Sequence, residues 1–183
     1  MVLLSFDMEE FDVPREHGVD FSLEEGLVVS VVDSEIKRTG YLYNSSLNPT
    51  FILGRYMHVT SPRTLFMNDG MMQIPVSVTP WLRFPLFWLS LLNLPKWLYH
   101  RMARRVFRHD GYFVTYFYPW EFYELKVHPE FNMPLIFKNH SGQQIMDCLD
   151  HLVKMLKQRG HEFITYKSFF AYETRNNRTP GIQ

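Results

Sequence analysis

The chain has 183 residues, of which 46% are hydrophobic and 16% aromatic, so it is long and apolar enough for one domain with a substantial core. Its 19 basic and 19 acidic residues give a formal net charge of zero, which excludes the strongly basic composition typical of nucleic-acid-binding domains. A single cysteine, Cys148, excludes an internal disulfide framework and fits a reducing compartment, and we expect it to pack at the buried edge of a helix.

The first predicted element is a parallel strand from Val2 to Phe6. This run is apolar, and four acids follow it closely: Asp7, Glu9, Glu10 and Asp12. An apolar run that ends in acids is typical of a buried parallel strand whose carboxyl end opens onto a polar site. No basic region precedes the run and no apolar segment reaches the length of a membrane span, so we expect no signal peptide and a cytoplasmic location.

Three further strands and one helix are predicted before residue 80. Leu27 to Val32 is apolar enough for a strand, and Asp33 to Thr39 has the composition of a short helix that a glycine ends. Tyr41 to Leu47 is predicted as a strand because turn residues follow it, and Met71 to Val78 as a strand that stops either at Pro75 or at Thr79 and Pro80.

The segment from Pro85 to His109 combines aromatic and aliphatic residues with a following group of arginines. Pro95 divides it into two predicted helices, because proline has no N–H group for the helical hydrogen-bond ladder. One interpretation is a helix pair that covers the core or an oligomer interface. The other is that residues 86–108 contact a membrane surface, with aromatic side chains inside and arginines at the lipid headgroups.

The last third of the chain carries the clearest periodicity. Ser141 and Gln144 form a predicted capping box, and apolar residues at helical spacing follow from Ile145 to Leu156 until Gly160 ends the helix. Glu162 to Tyr166 is then predicted as a strand. Strand, helix and strand in succession indicate an α/β fold with parallel pairing.

A second stretch, Tyr112 to Phe122, repeats the pattern of an apolar strand that ends in polar and aromatic residues. Its mouth carries four residues with aromatic or polar character: Tyr118, Pro119, Trp120 and Glu121. Ligands of α/β folds bind at the carboxyl ends of parallel strands, because side chains from several strands meet there. The ends of these two strands are therefore the predicted functional site.

Asp7 and Glu9 are the first candidates for chemistry at this site. They are two positions apart, so their side chains would share one face of an extended segment. Such a pair suits a base and a metal ligand, because a divalent ion offsets the repulsion of the carboxylates and activates a water. The alternative is a solvated acidic loop, or a cluster that caps a following helix.

Four segments occur in an order that resembles the polysaccharide deacetylase (NodB-homology) family. They are SFDMEEFD at the start, GYLYNSSLNPT at 40–50, MMQIPVSV at 71–78 and YFYPWEF at 116–122. The resemblance is strongest to cytoplasmic bacterial members with an Asp-x-Glu or Asp-x-Asp first motif and a late His-Pro-Trp-Glu motif. It implies a distorted (β/α) barrel that removes acetyl groups from N-acetylated sugars, usually with one zinc or similar ion.

The resemblance also implies roles for single residues. Asp7 resembles the general base that takes a proton from metal-bound water, and Glu9 resembles the carboxylate metal ligand. Trp120 resembles an aromatic of the pocket wall on which an acetyl group or a sugar ring packs, and Tyr43 lies in the segment that shapes the substrate cleft. Tyr118 stands where the family has the histidine that protonates the leaving amine.

The remaining member of the late motif is Glu121, which by the same resemblance would either support a residue that contacts the metal or substrate, or fix the loop. Other parts of the family pattern are absent. No pair among the 8 histidines has the His-x-x-x-His spacing of the family's metal ligands, and no Arg-Pro motif lies between Val32 and Gly40. A (β/α) barrel needs about 250 residues, so roughly 70 to 100 residues, the second to fourth strands, have no counterpart here. At position 118 a tyrosine, with a reference pKa of about 10, is poorly matched to an acid that works at neutral pH.

These observations predict a single deacetylase-like domain over residues 1–173, an incomplete barrel that lacks a segment near 28–33, and a polar tail over 174–183. The expected function is a metal-dependent deacetylase that hydrolyses the N-acetyl amide of a sugar or polysaccharide precursor with zinc or another divalent ion. The alternative is a catalytically degenerate member, without a metal, that binds carbohydrate or another partner. An open barrel exposes unpaired strand edges, so we also expect a homo-oligomer.

Overall fold

Two neighbouring parallel strands, β1 (Val2–Phe6) and β5 (Phe113–Phe117), form the centre of the fold. A computed structural model describes residues 1–6, 38, 40–50, 60–127 and 141–176. The short strands between them are β2 (Tyr43–Asn44), β3 (Phe66–Asn68) and β4 (Met71–Gln73). The helices are α1 (Trp88–Asn93), α2 (Lys96–Asp110), α3 (Gln143–Gln158) and α4 (Tyr166–Arg175), and 3₁₀ turns cover Pro119–Phe122 and Leu125–Val127.

The described strands form two small sheets that hydrogen bonds connect. β1 pairs with β5, while β4 lies between a parallel neighbour, β2, and an antiparallel neighbour, β3. Beyond β4 the chain reaches β5, where the Ser77 N–H donates to the Val114 carbonyl at 3.0 Å and the Val114 N–H donates to Ser77 Oγ at 2.9 Å. On the other side of β1, Val2 forms a parallel bridge with Phe163. No closed barrel is present in the described ranges, so the distorted (β/α) barrel stays a prediction.

The pair β1–β5 is covered on both faces, which explains why its sequence is continuously apolar. Val2 and Phe113 face a cluster built from all three of the first helices, including Trp88, Tyr99 and Leu152. The alternate residues of the same strands, with β3, β4 and α4, build a second cluster: Leu3, Val114, Leu65, Met72, Ile74 and Phe169. The predicted buried parallel strand from Val2 to Phe6 is therefore confirmed.

The helix pair around Pro95 is also confirmed. α1 ends at Asn93 and α2 begins at Lys96, and α2 buries Tyr99, Ala103 and Val106 against the first cluster. Gly111 then ends α2 in the left-handed conformation, with φ of 79° and an N–H that donates to Phe107 O at 3.0 Å. The buried face of this helix pair contributes to the core, as the first of the two interpretations requires.

The predicted capping box at Ser141 is wrong, although the helix that follows it is present. α3 begins at Gln143, and its N-cap position is Gly142. Ser141 Oγ instead accepts a hydrogen bond from the Leu125 N–H at 3.0 Å. The Ser141 hydroxyl therefore bonds to the neighbouring 3₁₀ turn and does not cap α3. Its partner, Leu125, is 16 residues away in sequence.

The strand from Met71 ends at the earlier of its two predicted stops, whereas two other strand predictions need correction in extent. Regular pairing after Met71 continues only as far as Gln73, because Pro75 has no N–H to donate and the chain then turns toward β5. In the run from Tyr41 to Leu47 only β2 is a strand. The segment after Gly160 makes a bridge at Phe163 and then enters α4, whose first turn is capped when Thr165 Oγ1 accepts from the Ser168 N–H at 3.1 Å.

α4 continues to Arg175, so the first two residues of the predicted polar tail over 174–183 are helical. Several other predictions lie outside the described residues. These are the strand 27–32, most of the helix 33–39, the gap near 28–33 and the tail after residue 176. The single domain over 1–173 stays a prediction.

Candidate functional site

The register of β1 and β5 brings the two predicted motifs to adjacent strand ends. Phe6 pairs with Phe117, and the next residues in the chain are Asp7 and Tyr118. Because the strands are parallel, both strands end at the same edge of the sheet, as expected for a site in an α/β fold. Asp7 and Glu9 themselves lie outside the described residues, so their predicted roles as base and metal ligand stay predictions.

Five aromatic side chains gather at this edge, and we call them the aromatic wall: Phe87, Trp88, Tyr116, Tyr118 and Trp120. The Tyr118 and Trp120 rings are nearly parallel, with an interplanar angle of 13° and centroids 5.8 Å apart. Trp88 meets both of them edge-on, at 6.4 Å from Tyr118 and 5.6 Å from Trp120. These separations lie within the range preferred by aromatic pairs.

The wall has one buried and several partly exposed members. Trp88 is 5% exposed and anchors the group in the first core cluster, whereas Tyr118 and Trp120 are half-buried. Phe87 extends the wall by stacking on Tyr116, with centroids 5.6 Å apart and an interplanar angle of 23°. A rigid, partly exposed aromatic surface of this kind is suited to packing against the apolar face of a ligand ring.

A tight turn holds the exposed end of the wall in place. Pro119 begins the 3₁₀ turn, where its fixed φ suits the first position. The Glu121 N–H donates to Tyr118 O at 3.1 Å, and the Tyr123 N–H donates to Trp120 O at 3.1 Å. A third bond, from the Gly142 N–H to Glu121 O at 2.8 Å, ties this turn to the start of α3.

Glu121 is the buried acid of the site. Its side chain is 1% exposed, at the bottom of the turn that carries Trp120. The backbone bonds of Glu121 reach both Tyr118 and Gly142, so the residue is part of the connection between β5 and α3. The roles that the resemblance implies for Glu121 stay predictions.

Tyr43 lies apart from the aromatic wall. It packs in the second core cluster, where its ring is 6.4 Å from Tyr166 and 5.6 Å from Phe170. The neighbouring Ser45 Oγ donates to Ile74 O at 2.7 Å, which fixes this segment against the extension of β4. Tyr118 and Trp120 pack against the first cluster instead. The structure therefore groups two of the predicted site residues and leaves Tyr43 in another cluster.

A pair of histidines comes together that no spacing in the sequence indicated. His100 of α2 and His151 of α3 stack with ring centroids 5.4 Å apart and an interplanar angle of 16°. Burial lowers the pKa of His100, and His151 together with the cations Arg159, Lys96 and Arg104 lowers it further. Only the packing of two helices makes these residues neighbours, and their cationic surroundings disfavour a bound cation.

A bound metal ion requires several donor side chains that lie close together. Within the part of the chain that the structure describes, no group of three or more His, Cys, Asp or Glu side chains could hold a metal ion. The described residues therefore do not form the zinc site that the resemblance implies. Any such site would depend on positions outside them, among which are Asp7 and Glu9.

Two comparisons of broader scope complete the description of the site. None of the helices in the described ranges is both long enough and apolar enough to cross a bilayer. No family model, curated protein or solved structure matches the chain. The case for function rests on the residues themselves.

Proposed function

We propose that this chain is a metal-dependent deacetylase that hydrolyses the N-acetyl amide of a sugar or polysaccharide precursor at the carboxyl end of the β1–β5 pair. One observation carries the proposal. The parallel register sets Phe6 beside Phe117, so the acidic motif and the aromatic motif leave neighbouring strands at the same edge. Phe6 and Phe117 are 111 positions apart in the chain, and the motifs that follow them are thereby expected to serve one site.

The proposed roles follow the family resemblance. Asp7 acts as general base and Glu9 as carboxylate ligand of zinc or another divalent ion, which would activate the attacking water when bound. Trp120 presents an aromatic face to the acetyl group or sugar ring, and the ring of Tyr118 stacked on it keeps that face in position. The described residues contain no group of three or more donor side chains for a metal, so a metal site of this kind would need residues outside the described ranges.

A second candidate is a carbohydrate-binding protein without turnover, and the packing of Tyr118 favours it. Its ring contacts Trp88, Tyr116 and Trp120, with centroid distances between 5.5 and 6.4 Å. A side chain held on three sides by aromatic rings is well placed to form part of a binding surface. It is a weaker candidate for the proton donor, because neutral tyrosine gives up its proton only near pH 10, roughly, when unperturbed.

The proposal includes a cytoplasmic protein that associates with itself. A reducing compartment fits the single Cys148, a half-buried side chain of α3 whose pKa is raised by burial. Exposed apolar residues at the start of the edge strand β2 favour self-association. Tyr41 is 64% exposed and Leu42 is 58% exposed.

Metal binding separates the two candidates without a guess about the substrate. The protein is stripped of metal, supplied with zinc and desalted, and the zinc retained per chain is measured. A deacetylase is expected to keep one ion, and Asp7→Ala and Glu9→Ala are each expected to lose it because removing a ligand or its partner weakens a site by tenfold or more, roughly. Asp12→Ala, in the same acidic segment, is the matched control and should keep the ion. Wild-type protein that retains neither zinc nor another divalent ion supplied in the same way would contradict the metal-dependent reaction.

Carbohydrate binding at the aromatic wall is expected in either case. Trp120→Ala should weaken binding of an N-acetylglucosamine oligomer about tenfold, because it removes the exposed stacking surface while Trp88 keeps the core filled. Calorimetric titration measures the affinity. Trp81→Ala is the control, since Trp81 is 80% exposed and lies outside the wall. Equal affinity of wild-type and Trp120→Ala protein would contradict a sugar site at this place.

A further inference from the structure

The outward face of α2 carries a straight line of large side chains that the core does not use. Trp97, Arg101, Arg104 and Arg108 follow one another at intervals of four, three and four residues, so they lie on one face of the helix, and we call them the arginine stripe. All four are exposed. At about 1.5 Å per residue, the stripe spans roughly 16 Å.

The opposite face of the same helix is what fixes the stripe in space. Tyr99, Ala103 and Val106 are each no more than 1% exposed and pack in the first core cluster. The stripe is therefore presented by a helix that is held rigidly at its back. Because its own side chains are exposed, they add little to the burial that stabilises the fold.

The stripe concentrates positive charge in a chain that is neutral overall. Lys96 and Arg105 of α2 are exposed as well, which brings the exposed Lys and Arg residues of this helix to five. The only acid of α2, Asp110, is held by Arg63 at the far end. Within the described ranges, none of the four arginines of α2 (Arg101, Arg104, Arg105 and Arg108) forms an ion pair.

Such an arrangement is unfavourable for the isolated helix. Arg101 and Arg105 are four residues apart, as are Arg104 and Arg108, and like charges at this spacing repel. An anionic partner would relieve the repulsion and supply the missing counter-charges. The pattern points to a partner whose negative charges are spread over a surface rather than gathered at one point.

We propose that the arginine stripe docks this protein on an anionic membrane surface, with its arginines at lipid phosphates and Trp97 in the interfacial layer. Clusters of four to eight Lys or Arg residues on an amphipathic helix are the pattern that anionic lipids recognise, and α2 exposes five, three of them in the stripe. Trp97 is 67% exposed and continues the line of arginines, and tryptophan is the side chain that favours the boundary between headgroups and hydrocarbon. A nucleic acid would be met by the charges alone and gives no reason for an exposed tryptophan in the same line.

Docking of this kind differs from insertion. The apolar face of α2 is already buried in the protein, so the helix would lie on the surface through its charged face. Each arginine near an anionic surface strengthens binding about fivefold, and three together about a hundredfold. The attraction is electrostatic and should fall as salt rises.

Vesicle sedimentation tests the proposal with the full chain. We expect the protein to sediment with vesicles that contain about one third phosphatidylserine and to remain in solution with pure phosphatidylcholine vesicles. Arg101→Gln/Arg104→Gln/Arg108→Gln should lower the partition coefficient about a hundredfold. The matched control removes three exposed cations from other elements, Lys126→Gln/Lys167→Gln/Arg175→Gln, and should keep most of the binding.

Two further measurements make the result decisive. Trp97→Ala should weaken binding to the same vesicles, whereas Trp81→Ala, which removes an even more exposed tryptophan outside α2, should not. Circular dichroism of each variant checks that the fold is kept. The proposal is overturned if the wild-type protein ignores the anionic vesicles, or if the stripe variant and the control variant lose binding equally. A third outcome would also overturn it: single-stranded DNA binds as tightly as the anionic vesicles, and Trp97→Ala changes neither the affinity for DNA nor that for vesicles. The partner would then be a soluble polyanion.

Discussion

Arg63→Met is expected to destabilise the protein by about 3 kcal/mol, because it leaves a buried carboxylate without its counter-charge. Arg63 Nη1 donates to Asp110 Oδ2 at 2.8 Å, and Arg63 Nη2 makes a second, short contact with Asp110 Oδ1. The Asp110 side chain is 4% exposed and that of Arg63 is 14% exposed. The pair is therefore a two-pronged ion pair with little access to water, and it ties the segment before β3 to the end of α2.

Urea unfolding measures this effect, and the chain provides a control of the same chemistry. Lys154 and Asp150 also form an ion pair, with 2.7 Å between Lys154 Nζ and Asp150 Oδ2, but their side chains are 68% and 59% exposed. Lys154→Met should change the free energy of unfolding by less than about 0.5 kcal/mol, as exposed helical pairs do. Losses of similar size in the two variants would contradict the importance assigned to burial.

A double variant separates the loss of attraction from the burial of a lone charge. Arg63→Met/Asp110→Leu removes both charges, so it should be closer in stability to the wild type than Arg63→Met alone. His109 lies beside the pair, with Nδ1 3.1 Å from Arg63 Nη2, and it is 58% exposed. Because His109 is exposed, its side chain can move away. We therefore expect the stability regained by the double variant to come from the removal of the buried Asp110 charge.

Local patterns in the sequence were sufficient for the elements whose cause is local. The apolar run from Val2 to Phe6 predicts a buried parallel strand because both faces of that strand are covered, and the structure covers both. A proline in a helix interior breaks the hydrogen-bond ladder, so the boundary between α1 and α2 at Pro95 could be predicted from the sequence. The end of α3 is likewise marked by Gly160, whose φ is 76°.

Prediction failed where the partner of a side chain lies far away in the sequence. Serine is a common helix cap, yet the Ser141 hydroxyl accepts a hydrogen bond from the Leu125 N–H, and no local sequence pattern predicts this partner. The pairing of Arg63 with Asp110, 47 residues later, was not predicted for the same reason. The stacked pair His100 and His151 depends on the packing of α2 against α3, which no spacing rule describes.

The candidate site shows the same division. Tyr118 and Trp120 are neighbours in one motif, so the sequence placed them together, and the structure stacks their rings. Trp88 joins them from α1 through the tertiary fold. Phe87 and Trp88 lie in the predicted aromatic segment from Pro85 to His109, but only their contacts with Tyr116, Tyr118 and Trp120 make them part of the aromatic wall. Tyr43, matched to the family by position alone, packs in the other cluster.

Gly142 connects the stability of the fold to the geometry of this wall. Its backbone has φ of 75° and ψ of −133°, a region that residues with a side chain avoid. Its N–H donates to Glu121 O at 2.8 Å, and Glu121 belongs to the turn that carries Trp120. A methyl group at this position would lie 3.1 Å from the Cα atom of Glu124 and in contact with the Glu124 carboxylate. The carboxylate can swing away, but the Cα atom moves only with the backbone.

Gly142→Ala is accordingly expected to lower the free energy of unfolding by about 3 kcal/mol, from the strained backbone together with the contact at Glu124. Gly111→Ala is the matched control. Gly111 also has a positive φ, 79°, but nothing lies within 4 Å of the added methyl group, so its loss should be about 1 kcal/mol. Urea unfolding followed by tryptophan fluorescence measures both. Gly142→Ala should in addition change the emission of the folded protein, because the turn that holds Trp120 has to shift. An equal loss of stability in the two variants, with unchanged emission, would mean that the approach of Glu124 does not constrain this end of the site.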